Sequence, residues 1–172
     1  MKRSKFKDIL KYYSEKDKRL LDSKGLIYHH NEFGVFAPSD ISSVFELLKK
    51  LNFNKYDKFV DLGSGDGRVV LTASLFVDSV GIELDKKLYD FSKKSMKELS
   101  INNTQFVNKD FFSIKFKDSD LIYIAPDKNL FWNDDFFSRK GNLIVNSKVF
   151  LLSKKPKKIF NINNNFYYLY EF

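Results

Sequence analysis

The chain has 172 residues, 43% of them hydrophobic and 30% charged. That is the size of one domain and the composition of a folded one rather than a disordered one. It holds no cysteine, so disulfides, thiolate metal sites and a cysteine nucleophile are excluded. The net charge of +8 is unevenly placed. Residues 1–24 carry nine bases and four acids, and the apolar spacing of Phe6, Ile9, Leu10, Tyr13, Leu20 and Leu21 predicts an amphipathic helix over 4–21. Gly25 is its expected stop. Residues 1–25 are read as a basic helical arm and residues 26–172 as the main domain.

An irregular stretch follows from 26 to 38. It includes His29 and His30, but adjacent histidines point in different directions and the chain has no third, so no metal site is expected. Ser39 is the expected N-cap of a helix over 40–51. From residue 57 the pattern changes to alternating strands and helices. Strands are predicted at 58–62, 79–84, 105–108, 120–124 and 142–146, with helices near 67–77, 86–100 and 129–138. The aromatic residues Phe131, Trp132, Phe136 and Phe137 fit the packed face of that last helix. Residues 148–158 then hold five lysines and no acid. Two strands at 158–162 and 166–171, joined by Asn163-Asn164-Asn165, form an antiparallel hairpin. Repeated βα units ending in a hairpin predict an α/β fold with a mostly parallel sheet and an antiparallel edge. No apolar run reaches the roughly 18 residues of a membrane span, and the first residues lack a signal-peptide core. A cytoplasmic protein is expected.

Asp61-Leu62-Gly63-Ser64-Gly65-Asp66-Gly67-Arg68 carries the strongest chemical signal. Glycines let a strand-to-helix turn close tightly and approach a ligand, and the first turn of the helix is expected to supply free N–H groups. Glu83, at the end of the next strand, stands where an open α/β sheet places a carboxylate on ribose hydroxyls. Asp61 and Asp66 would repel a pyrophosphate but attract an amino or sulfonium group. S-adenosylmethionine (SAM) has both groups and a ribose. Asp110 and Phe111, after the third parallel strand, suit an adenine amino group and ring. Arg68 is expected to tie loops together through its stem.

These motifs resemble class I SAM-dependent methyltransferases, whose Rossmann-like fold has a seven-stranded sheet. DLGSGDGRVV followed by GIELD is similar to the protein-lysine methyltransferases that include the mitochondrial ATP-synthase c-subunit methyltransferase and its archaeal broad-specificity relatives. Phe36-Ala37-Pro38-Ser39 and Leu121 to Pro126 resemble further motifs of that family, as do the closing strands. The resemblance covers residues 34–172. It implies SAM held by Asp61, Gly63, Ser64, Gly65, Gly67, Glu83, Asp110 and Phe111, with Tyr123 and Pro126 at the acceptor. The acceptor it implies is a protein lysine. Ala125-Pro126-Asp127-Lys128 lacks the paired prolines and following aromatic common in base-modifying enzymes. An RNA or small-molecule acceptor, or a binding module without catalysis, stays open as an alternative, and nucleic acid is the less favoured partner.

Overall fold

The computed structural model describes residues 2–25, 29–31, 34–130 and 141–172. Its centre is a seven-stranded sheet built from β3 (Lys58–Leu62), β4 (Ser79–Glu83), β5 (Thr104–Asn108), β6 (Asp120–Ile124), β7 (Asn142–Asn146), β8 (Lys158–Ile162) and β9 (Asn165–Glu171). The spatial order is β5-β4-β3-β6-β7-β9-β8. The first five of these are parallel, while β9 runs antiparallel to both β7 and β8. Asn163 and Asn164 both adopt left-handed backbone angles, with φ of 50° and 62°. That is the geometry of a two-residue hairpin turn whose twist matches its strands, so β9 starts one residue earlier than expected. The chain moves outward from β3 to β4 and β5, then returns to place β6 on the other side of β3. A crevice opens at the carboxyl ends of the strands where the winding direction reverses.

Strand alternation sorts the core. Phe59, Leu121, Tyr123 and Ile144 face one side with Val44, Leu47 and Leu48. Val60, Leu62, Ile82, Ile124, Leu143 and Val145 face the other, where Leu130, Leu152 and the aromatic stretch from Phe111 to Phe116 cover them. The described helices α2 (Ile41–Lys49), α3 (Arg68–Ala73) and α4 (Lys86–Glu98) lie on the first side. Asp40, not Ser39, caps α2, accepting the Ser42 N–H at 3.0 Å. The acid stands one residue closer to the first helical turn. The helix expected near 129–138 falls largely outside the described residues, as do its four aromatic residues.

The stretch expected to be irregular contains a short antiparallel pair, β1 (His29–Asn31) and β2 (Gly34–Phe36). It is tied down from outside: the Val35 N–H donates to Asp127 Oδ2 at 2.7 Å. Gly34 makes this possible, because a Cβ there would stand 2.3 Å from the same carboxylate oxygen.

The amino-terminal helix, α1 (Lys2–Lys24), is packed rather than free along one stripe. Phe6 stacks on Phe45 of α2 with ring centroids 3.9 Å apart, and Ile9 and Tyr13 are each only 1% exposed. Lys5, Lys7, Lys11 and Lys18 face solvent. Gly25 ends the helix as expected, at φ 69° with its N–H on the Leu21 carbonyl. If this stripe holds α1 in place, Ile9→Ala should destabilise the chain by about 2–5 kcal/mol in chemical denaturation. The exposed Lys5→Ala should change it by less than about 0.5 kcal/mol.

Candidate cofactor and acceptor site

The crevice between β3 and β6 holds a cavity of about 280 Å³. The turn from Gly63 to Asp66 forms its floor, with Glu83 at one side and Asp110 and Phe111 beyond. The segment from Gly34 to Ser39 and the stretch from Tyr123 to Lys128 form facing walls. Nine of the ten expected site residues thus meet in one place; Gly67 does not line it.

Each glycine of the turn has its own reason. All three have positive φ: 72° at Gly63, 55° at Gly65 and 82° at Gly67. A Cβ on Gly63 would meet no protein atom within 4 Å, so the space above it belongs to the cavity. A Cβ on Gly65 would stand 2.7 Å from the Phe36 ring. On Gly67 it would collide with Phe106 and Ser92 at 2.8 Å, so that glycine seats α3 against α4 and β5 instead of facing a ligand. Ser64 turns its hydroxyl toward Gly81 of β4, where it is buried without a partner among the described residues. Its contribution to the cavity comes from its backbone.

The turn engages most of its own N–H groups, whereas none of the described residues accepts from the first-turn Val69 and Val70 N–H groups of α3. Gly63 and Ser64 both donate to the Ile82 carbonyl, at 2.9 and 3.0 Å, and Gly67 donates to the Ser64 carbonyl. Gly65 donates to Glu83 Oε2 at 2.8 Å, and the Arg68 N–H to Asp66 Oδ1. The turn needs these donors to hold its shape.

Carboxylates dominate instead. Asp61 sits beside Tyr123 in the parallel register and is 3% exposed. Burial pushes its pKa well above the ordinary carboxylate range, and the nearby charges of Glu83 and Asp66 push it the same way. Burial also raises Glu83, partly offset by the Asp85 and Gly65 N–H groups it accepts. Asp66 behaves differently. Burial alone would raise it, but Arg68 and Lys16 hold it below the usual value. Asp66 is therefore an internally paired charge, and Asp61 and Glu83 are the acids left for a ligand. Asp110 spends Oδ1 on the Phe112 N–H at 2.9 Å, capping the short turn that places Phe111.

Tyr123 lies within β6 and is 1% exposed. Its hydroxyl accepts from Asn146 Nδ2 at 2.9 Å, and Ser39 bonds to it as well. Burial raises its pKa well above 10, so it stays neutral. Pro126 is half-buried at the wall. Sequence reasoning missed Asn146 and Asp127, since nothing local marks either as a partner of a distant strand or hairpin. Among the described residues no cluster of three or more His, Cys, Asp or Glu is arranged to hold a metal. None of the described helices is long and apolar enough to cross a membrane.

Residues 27–164 match the family described as Histone methylation protein DOT1. The chain belongs to that family. It is also 40% identical over 76 residues to the ATP synthase c-subunit lysine N-methyltransferase of Caenorhabditis elegans. That match takes in 43% of this chain and 40% of the relative, so the chain spans about two fifths of that protein's length. Among solved structures the fold is similar to an RNA methyltransferase of Salinibacter ruber bound to S-adenosyl-L-homocysteine. The TM-score is 0.62 at 22% identity, covering 79% of this chain and 93% of that one. A protein-L-isoaspartate O-methyltransferase is similar at a TM-score of 0.53 and 20% identity, over 69% of this chain and 40% of that one. The fold is the Rossmann-like methyltransferase fold, shared by enzymes with different acceptors.

The cofactor of this family and fold is SAM, and the residues here fit it. The space over Gly63 is open, and two acids without an opposing cation among the described residues face the cavity. A cation beside Asp61 favours its ionised form, so affinity should fall as pH drops through the raised Asp61 pKa. Calorimetry with S-adenosylhomocysteine, which keeps the amino group, should show that slope, and Asp61→Asn should flatten it. The ligand-free protein should show the opposite trend. The folded chain holds the Asp61 proton more tightly than the unfolded chain, so stability falls as pH rises from about 4 through the raised value. Asp61→Asn should remove that slope from melting curves as well.

Proposed function

We propose that this chain is a SAM-dependent methyltransferase acting on the ε-amine of a protein lysine. The observation that carries the cofactor half is the pair of acids, Asp61 and Glu83, facing the open space over Gly63. The lysine half is supported by the Caenorhabditis elegans relative and by the family match. The stretch Ala125-Pro126-Asp127-Lys128, unlike the usual base-modifying motif, supports it too.

Bound SAM supplies a methyl group made electrophilic by its sulfonium. The chain's own residues then have separable tasks. Glu83, held by the Gly65 and Asp85 N–H groups, faces the cavity to accept from ribose hydroxyls. Asp110 accepts from the adenine amino group, Phe111 packs on the ring, and Asp61 draws the amino group to the floor. Gly63 admits the ligand, Gly65 admits the Phe36 ring, Ser64 shapes the turn, and Gly67 seats the helix behind it. On the acceptor side, an ammonium has no lone pair, so the lysine must arrive neutral despite an ordinary pKa of about 10.4. A wall of Phe36, Pro126 and Tyr123 desolvates the amine and lowers that value. Tyr123 is neutral and held by Asn146 and Ser39, so it orients and encloses rather than accepting the proton.

The test is incubation with labelled SAM and a cell extract, followed by mass spectrometry of the product. Methyl groups should appear on lysine, at a rate that rises with pH above 7 while the bound amine titrates. Tyr123→Phe should keep much of the activity. Tyr123→Ala should lose about tenfold or more, since a displaced wall misplaces the reacting amine, with S-adenosylhomocysteine binding intact in both. Methylation confined to RNA bases would overturn the lysine assignment.

A further inference from the structure

The buried stripe of α1 does not stop at Tyr13. Residues three and four further on share a helical face, and here those positions are Lys16 and Asp17. Lys16 Nζ pairs with Asp66 Oδ2. Asp17 takes the Arg68 guanidinium with both oxygens, at 2.9 and 2.7 Å. The Tyr13 hydroxyl donates to the Asp66 carbonyl at 2.8 Å. Arg68 itself bonds Asp66 through Nε and Nη2. Two cations and two acids thus close a neutral cluster directly beneath the glycine turn. The Asp66 and Arg68 side chains are only 1% and 6% exposed. Lys16 reaches further still: its ammonium lies 4.1 Å from the centre of the Phe91 ring on α4 and 5.5 Å from that of Phe36. Phe36 in turn is the ring that rests on Gly65. The α1 residues therefore touch the turn from below and the ring that covers it from the side.

This helix precedes residue 27, where the family match begins. We propose that α1 is a built-in positioning element for the cofactor turn, with Tyr13, Lys16 and Asp17 as its positioning residues. They hold Asp66 and Arg68 so that Gly63 to Gly65 keep Asp61 and Glu83 aimed into the cavity. The inference rests on the cofactor reading above. The charge balance explains why both ionic residues are needed. Without Lys16, Asp66 gains negative character beside Asp61 and Glu83, and the three acids repel one another. Without Asp17, the guanidinium loses its second carboxylate and the stem of Arg68 is no longer fixed at its far end.

The test is calorimetry of S-adenosylhomocysteine binding to the full chain and to Tyr13→Phe, Lys16→Met and Asp17→Asn, with thermal melts as the fold control. Breaking one partner of a buried ion pair is costly, so the two charge variants should bind about tenfold or more weakly, and Tyr13→Phe severalfold more weakly. In turnover, KM for SAM should rise while KM for the protein substrate stays unchanged. Lys16→Arg and Asp17→Glu should recover part of the affinity. Variants that melt cooperatively and bind within about twofold of the wild type would overturn the proposal. If the charge variants do not fold, Tyr13→Phe, which keeps the ring packing, decides by the same criterion. A wild-type chain that binds no S-adenosylhomocysteine would instead overturn the cofactor assignment.

Discussion

Three carboxylates converge on one tight turn, and only one of them is neutralised from within. Asp66 is bound by Arg68 and Lys16, while Asp61 and Glu83 share a low-dielectric corner with no cation against them among the described residues. Taking an ionised carboxylate out of water is expensive unless something positive comes near it. The packing of β3 and β4 leaves Asp61 reachable only from the cavity, and the folded chain meets that cost by holding its proton more tightly. A cationic ligand relieves it. The same residues that make the empty crevice uncomfortable thus favour a cationic group over a polyphosphate there.

The sheet order makes this arrangement possible. β3 sits between β4 and β6, so the side chains at three adjacent strand ends can meet over one crevice. Asp61 and Tyr123 are direct neighbours across the β3–β6 pair. The acid of the cofactor side and the ring of the acceptor side are therefore held by one set of backbone hydrogen bonds. The hairpin of β1 and β2 adds the remaining wall. One tie that holds it is the carboxylate of Asp127, just past the end of β6.

The parallel strands are legible in sequence because each is a short apolar run punctuated by glycine, acid or a helix start, and strands 58–62, 120–124 and 142–146 match residue for residue. The glycine turn and Glu83 are legible because they repeat a spacing with a mechanical reason. The hydrogen bonds that consume the turn's N–H groups are not, since they depend on how close Ile82 and Glu83 come in three dimensions. Nor is the split between Asp61 and Asp66: both acids look alike in sequence, and the Arg68 guanidinium folding back on Asp66, joined by Lys16 from fifty residues earlier, separates their charges. The paired strands at 29–31 and 34–36 read as irregular because three-residue strands have too little alternation to show. Its place in the motif assigns Gly67 to the ligand, whereas Phe106 and Ser92 crowd its other side.

The run of lysines toward the carboxyl end sits in an unexpected place. Because β9 turns back antiparallel along β7, Lys154 and Lys157 come to bond Glu171 at the sheet's opposite rim, away from the crevice. They lead directly into β8, the outermost of the described strands on that side, where Ile159 is 55% exposed. A bare strand edge with an apolar side chain invites pairing with the edge of another copy, and a row of like charges beside it opposes that approach. The density of lysine here thus favours a chain that stays dispersed at high concentration, and such protection weakens as salt screens it.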